Sequence, residues 1–201
     1  MYTYPNGKSA AQLYDELHRT QNYGKSDFGH GRGLERHLAG CYSLLDVGCG
    51  RSHFAWYAQN ASIVKTIQGC DISVVAANWQ KHRGLPCVVG DLSEGLPFDD
   101  NSWDGVTAFD VLEHIQPDAV LFAIGELTRV ARKTVLMTIA HGHAHGKGTE
   151  RENLHLTIQP PEWWRDAMIE ANVKAKLMAV RMVRNRENEP SSSVWTIDAT
   201  A

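Results

Sequence analysis

The stretch LDVGCGRSH, residues 45–53, decides how the chain folds. The apolar run YSLLDV (42–47) leads into it and the run HFAWYAQNA (53–61) follows, so it reads as a buried strand, a glycine turn and a helix. Gly48 and Gly50 allow a ligand to approach the backbone closely. The spacing almost makes a dinucleotide-binding loop, but His53 stands where a third glycine belongs. Asp46, two residues before Gly48, would also repel a pyrophosphate.

Outward from this loop, strands alternate with helices. Apolar runs at 64–72, 85–91, 102–112 and 133–140 supply strands two to five. Ser73 is placed to cap the helix after strand two and Gly84 to end it. Pro117 suits a first helical turn, and Val120, Leu121, Ile124, Leu127 and Ala131 recur at helical spacing. Pro160-Pro161-Glu162 opens another helix ending near Asn172, and the apolar stretches 175–183 and 194–198 flank ENEPSSS as a hairpin. The fold expected is α/β: a Rossmann-like, doubly wound, mainly parallel seven-stranded sheet with a C-terminal antiparallel hairpin.

Composition bounds the function. With 43% hydrophobic and 21% charged residues, the chain can bury a core and is not of the disordered class. A net charge of −3 gives no overall drive toward nucleic acid or anionic membrane. No apolar run approaches the ~20 residues that span a bilayer, and the first residues lack the basic and apolar regions of a signal peptide, so a cytoplasmic location is expected. Cys41, Cys49, Cys70 and Cys87 form no Cys-x-x-Cys pair and read as buried free thiols.

In sheets of this kind ligands bind at the carboxyl ends of the strands. Those ends carry Asp46, Asp71, Asp91 and Asp110 after strands one to four. Four acids around a glycine loop suit a ligand with an ammonium, a ribose and a sulfonium, a description that S-adenosylmethionine meets. LLDVGCG (44–50) and FDVLEHI (109–115) resemble the class I S-adenosylmethionine-dependent methyltransferases, the small-molecule group in particular, over residues 44–138. The resemblance implies that Asp46, Gly48, Cys49 and Gly50 line the methionine portion. It implies that Asp71, 25 residues beyond Asp46, takes the ribose hydroxyls. Asp91 and Leu92 would meet the adenine, with Ile72 packed on it. Phe109, through its backbone, and Asp110 would lie near the methionine amine and the transferred methyl. Ser52 and His53 depart from the family pattern. On this reading the 201 residues make one domain: a helical cap or lid (1–40), with helices over 9–20 and 32–39; a cofactor-binding core (41–140); a substrate loop (141–160); and a closing helix and hairpin (161–201).

On the substrate side, His141 follows strand five and is the expected general base for a hydroxyl acceptor, with His114 shaping the acceptor pocket beside Glu113. His141, His143, His145 and His155 with Glu150 and Glu152 raise a metal reading, but the glycine-rich loop lacks a complete ligand set and no metal is expected. Tyr23 or Lys25 would meet the cofactor's carboxylate from the N-terminal segment. Trp163 and Trp164 read as a core pair, Trp164 beside Met168, with stacking of Trp163 on a ring as the alternative. Arg129, Arg132 and Lys133 read as structural.

The function expected is methyl transfer from S-adenosylmethionine to a small polar acceptor, at an oxygen of a sugar or related metabolite. HLTIQPPEWW (155–164) is similar to methyltransferases found with glycan-biosynthesis genes. The partner is then a small-molecule substrate, neither membrane nor nucleic acid; no Asn/Asp-Pro-Pro-Tyr/Phe motif is present to hold a base amine. The oligomeric state is left open. The alternatives are a catalytically silent S-adenosylmethionine-binding protein and an NAD(P)-dependent oxidoreductase.

Overall fold

The computed structural model describes residues 4, 7–19, 23, 33–51, 54–142, 154–171, 176–184 and 190–200. Its elements are α1 (Ala10–Arg19), β1 (Ser43–Val47), α2 (Phe54–Asn60), β2 (Thr66–Asp71), α3 (Val74–His82), β3 (Cys87–Val89), β4 (Trp103–Phe109), α4 (Val120–Val130), β5 (Ala131–Ala140), α5 (Pro161–Ala171), β6 (Lys176–Arg184) and β7 (Pro190–Asp198). The seven strands lie in the order β3-β2-β1-β4-β5-β7-β6. Strands β1 to β5 are parallel, and β7 runs antiparallel between β5 and β6. The chain therefore winds outward from β1 in one direction and then, from β4, in the other. The crevice between the carboxyl ends of β1 and β4 is where such a sheet binds ligands.

Strand periodicity divides the core into two. Leu45, Val106, Ala108, Val135 and Met137 face α4 and α5, packing on Ile124, Leu127, Trp164 and Met168. Their neighbours Leu44, Ile67 and Leu136 face the other way, onto Leu34, Leu38, Phe54 and Ala58. Alternate residues of one strand thus bury on opposite faces, which is why β1 and β5 read as continuous apolar runs. Each fully buried leucine contributes about 1.5–3 kcal/mol of transfer free energy.

Several boundaries follow local chemistry. The Ser73 side chain accepts the Ala76 N–H at 3.1 Å and starts α3. Gly84, at φ +87°, ends it. Arg129 binds both Glu126 oxygens and the carbonyls of Leu96 and Phe98, and Arg132 and Lys133 bind Asp104, so all three are structural. Trp164 is fully buried in the core, with Trp163 half-buried and edge-on to it at 5.1 Å.

Other boundaries differ from the sequence expectation. Strand β4 stops at Phe109 instead of 112, because Asp110 turns into the left-handed region (φ +54°) and a 3-10 turn follows at Leu112–His114. The helix expected near 32–39 is a 3-10 turn, Glu35–Leu38. Ala131 belongs to β5, which starts directly at the end of α4. Strand β7 begins at Pro190, so Ser192 and Ser193, which read as turn residues, pair with Ala140 and Ile139.

Candidate functional site

The glycine loop is fixed by its neighbours. Gly48 has φ +64°, and a Cβ there would lie 2.4 Å from Val111 Cγ2, so no other residue fits without a shift. The N–H groups of Gly48 and Cys49 both donate to Cys70 O, at 2.8 and 3.2 Å, folding the loop back on β2. The Gly50 N–H donates to Asp71 Oδ2 at 2.7 Å, and Gln80 Nε2 holds Gly50 O at 3.1 Å. The Cys49 side chain packs behind the loop on Ala77 and Cys87, its Sγ 3.5 Å from that of Cys87. It fills space, and only its backbone faces the crevice side of the turn. Ser52 and His53 lie outside the described residues.

The four acids differ in how they are held. Asp46 is buried; Oδ1 accepts the Thr107 hydroxyl at 2.7 Å and Oδ2 has no partner among the described residues. Burial pushes its pKa up to about 7, against the pull of the Thr107 bond and with a push from the Asp71 charge. Asp71 is also buried, which raises its pKa to about 6 although both oxygens accept backbone N–H groups, Ser73 on Oδ1 (2.8 Å) and Gly50 on Oδ2 (2.7 Å). Asp91 is half-buried and folds its Oδ1 onto Ser93 N and Oγ, a local turn. Asp110, the left-handed residue, accepts the Thr138 hydroxyl at 2.9 Å, which holds its strained backbone in place. Ile72 is half-buried just past β2, whereas Leu92 is part of the main core and offers the crevice its backbone. The Phe109 ring turns away from the crevice and packs edge-on to Phe54 at 4.8 Å.

The N-terminal helix lies against this loop. Asp15 of α1 binds Ser73 Oγ and Val75 N at the start of α3. The His18 ring comes within 3.5 Å of where a Gly50 Cβ would sit and packs edge-on to Tyr23 at 5.0 Å. Tyr23 also approaches Tyr14 at 6.1 Å. Lys25 lies outside the described residues.

On the acceptor side, both ring nitrogens of His141 are engaged. Nδ1 faces the Gln159 carbonyl at 3.1 Å and so carries the proton. Nε2 lies 2.8 Å from Ser193 Oγ, which itself receives Trp195 Nε1–H, so the serine hydroxyl donates to His141. The lone pair of the expected base is therefore occupied, and His141 ties β5, β7 and residue 159 together. His114 is different: its Nδ1 lies 2.9 Å from Leu154 O, its ring is edge-on to His155 at 4.7 Å and to Tyr14 at 6.0 Å, and burial drops its pKa to about 4. Glu113 is fully buried with Oε1 on the Ala140 N–H at 3.1 Å and Oε2 unpartnered. His143, His145, Glu150 and Glu152 lie outside the described residues.

Comparison with known proteins agrees with this geometry. A family model described as a methyltransferase domain matches residues 45–139. That stretch is 95 of the 201 residues, and over it the chain is similar to that methyltransferase domain. Among solved structures, a chain of the complex between the Haloferax volcanii Trm112 methyltransferase activator and a methyltransferase superposes with TM-score 0.72 at 14% identity, covering 94% of this chain and 98% of that one. An S-adenosylmethionine-dependent methyltransferase from Mesorhizobium loti gives 0.66 at 13% identity, over 87% and 98%. The magnesium protoporphyrin IX methyltransferase ChlM of Synechocystis, with SAH bound, gives 0.61 at 15%, over 94% and 82%. At these identities the likeness is one of fold. No curated protein matches the sequence.

S-adenosylmethionine is the cofactor that the resemblance of residues 44–138 implies, and the residues present fit it. The unpartnered, buried Asp46 Oδ2 is an acceptor waiting for a donor such as an ammonium. Asp71, oriented by two backbone N–H groups, keeps further lone pairs for two hydroxyls. Sequence reading of the methyltransferase missed Asp15, His18, Thr107 and Thr138. Thr107 and Thr138 carry a signal of a kind, as polar residues inside otherwise apolar strands; Asp15 and His18 carry none, since their partners are about 32 to 60 residues away.

Proposed function

We propose that this chain is an enzyme that methylates a hydroxyl oxygen of a small polar acceptor, a sugar or related metabolite. The observation that carries the reading is the pair of imidazoles, His114 and His155, set 4.7 Å apart beside the ends of β4 and β5. S-adenosylmethionine supplies a methyl already activated on sulfur: the C–S bond breaks with its electron pair left on sulfur, while the acceptor oxygen gains the methyl and releases its proton.

The protein's share is to hold the acceptor in line. His114, its Nδ1 proton given to Leu154 O, presents Nε2 to a hydroxyl. A pKa near 4 keeps the ring neutral at pH 7, able to accept a hydrogen bond but a weak base. Orientation, more than proton removal, is its contribution. Asp46 and Asp71 fix the donor from the opposite side of the crevice, and α1 covers the loop between them. The sugar assignment draws on the likeness of residues 155–164 to glycan-associated methyltransferases.

The experiment is a labelled-methyl assay of the full chain against a panel of hydroxylated sugars, phenols, amines and thiols. Label on a sugar oxygen is the expected result. Label on nitrogen or sulfur would overturn the acceptor assignment. Cofactor binding without turnover on any member would point to a silent binding protein, and binding of NAD instead would point to redox chemistry.

A further inference from the structure

We propose that Glu113, His114 and His155 form a binding site for a divalent transition-metal ion such as Zn2+ on the acceptor side of the crevice. One ligand atom from each of the three lies within 4.8 Å of the others. Metal–ligand bonds of ~2.0–2.2 Å put ligand atoms no more than ~4.4 Å apart, so a small side-chain adjustment closes the set.

The ring orientations match the set. His114 Nδ1 faces Leu154 O at 2.9 Å and His155 Nδ1 faces Gly142 O at 2.5 Å. Each carbonyl takes an N–H, which fixes the tautomer with its lone pair on Nε2, the nitrogen then left to serve as the ligand atom. Metal-bound histidines are held in this way, by a backbone or carboxylate acceptor on the second nitrogen. Glu113 supplies an independent sign. It is fully buried, one oxygen rests on the Ala140 N–H, and Oε2 has no partner among the described residues. A buried carboxylate oxygen without a partner is costly unless a proton or a cation meets it.

Two imidazoles and one carboxylate favour a transition metal over Mg2+ or Ca2+, which take mainly oxygen ligands. Three protein ligands leave a position open. Backbone bonds from Leu156 and Thr157 to Glu113 O, at 2.8 and 3.0 Å, hold the segment carrying His155 along the turn carrying the other two ligands. An acceptor hydroxyl at the open position would become more acidic. This role for the ion rests on the O-methylation reading above, with the hydroxyl on the ion's open position in place of His114 Nε2; the binding of the ion does not.

The test uses the tag-free full chain, freed of metal by chelator. Zn2+ is titrated calorimetrically and Co2+ by visible absorption, each alone and with S-adenosylmethionine present. One equivalent of Zn2+ and the absorption bands of Co2+ in a low-symmetry nitrogen–oxygen site are expected. His155→Ala should weaken Zn2+ binding by at least ~100-fold, beyond the 10–100-fold typical of outer-shell losses, with S-adenosylmethionine affinity kept. A His143→Ala/His145→Ala control should bind Zn2+ like the parent. If His155→Ala does not fold, pulsed electron paramagnetic resonance of the Cu2+-loaded parent should count two coordinated imidazoles. No heat and no Co2+ bands in the parent, unchanged affinity in His155→Ala, or loss in the control would overturn the site. Zn2+ binding without methylation of any hydroxyl would leave the site standing and overturn its role toward the acceptor.

Discussion

Asp15 and Ser73 share a hydrogen bond of 2.6 Å that joins the N-terminal helix to the helix following the ribose-side strand. The same Asp15 oxygen accepts the Val75 N–H at 3.1 Å, so α1 caps α3 from outside, beside the Ser73 cap on Ala76. Losing a helix cap costs about 1 kcal/mol. Asp15→Ala should therefore lower stability by roughly 1–2 kcal/mol, read by urea denaturation. Because α1 brings His18 against Gly50, the variant should also bind S-adenosylmethionine more weakly. Full stability with full affinity would mean that α1 docks without this bond.

Asp71 carries two jobs that one substitution can separate. Its oxygens hold the glycine loop (Gly50 N) and the α3 turn (Ser73 N). Asp71→Asn keeps the shape and one acceptor oxygen but removes the charge and sets an NH2 against one of the two backbone N–H groups, so it loses one of these two bonds where Asp71→Ala loses both. S-adenosylmethionine affinity should fall by about 1–3 kcal/mol, the worth of hydrogen bonds to a charged group. Calorimetric titration reads it. Asp71→Ala should lower thermal stability further, since two backbone donors lose their partner. Unchanged affinity in both variants would sink the ribose assignment.

Asp46 gives the apo-protein a pH signature. Its folded pKa of about 7 lies above the ordinary carboxyl value of 3.8. Between these two values the folded state binds more protons than the unfolded one, so this group's contribution makes stability fall as pH rises through that window and level off above it. A donor ammonium needs the ionised carboxylate, so S-adenosylmethionine affinity should rise with pH up to about 7, with a proton released on binding below that. Thermal denaturation at pH 5 and 8, and calorimetry in two buffers of different ionisation enthalpy, check both. Asp46→Asn should flatten both dependences; Thr107→Val, which removes the bond that lowers the pKa, should move the binding midpoint upward.

What the sequence made legible is what depends on near neighbours. The strand–turn–helix around Gly48, the Ser73 cap and the closing hairpin each rest on a period or a residue type within a few positions. The acids at four strand ends were legible too, because strand ends are local and the parallel sheet brings them to one edge. Less legible were pairings between distant segments. Glu113, His114 and His155 meet only because Leu156 and Thr157 bond to Glu113 O. The serines of β7 read as a turn, yet they pair with β5 and reach His141. Polar strand residues are indistinguishable from turn residues until the neighbouring strand supplies their hydrogen bonds.

His141 is where that illegibility bears on a role, and it can be tested directly. Its position just past β5 suits a base, but Ser193 occupies Nε2 and Gln159 O holds Nδ1. Burial lowers its pKa, which keeps the ring neutral in this bridge. His141→Ala leaves a carbonyl and a serine hydroxyl without their partner, at a cost of about 1–3 kcal/mol. The expected outcome is a lower denaturation midpoint with kcat reduced only a few-fold under conditions where the variant stays folded. His114→Ala should show the reverse, a large loss of kcat with a smaller loss of stability. If His141→Ala keeps its midpoint and loses kcat by a hundred-fold or more, the ring must leave Ser193 during turnover, and the role of base returns to it.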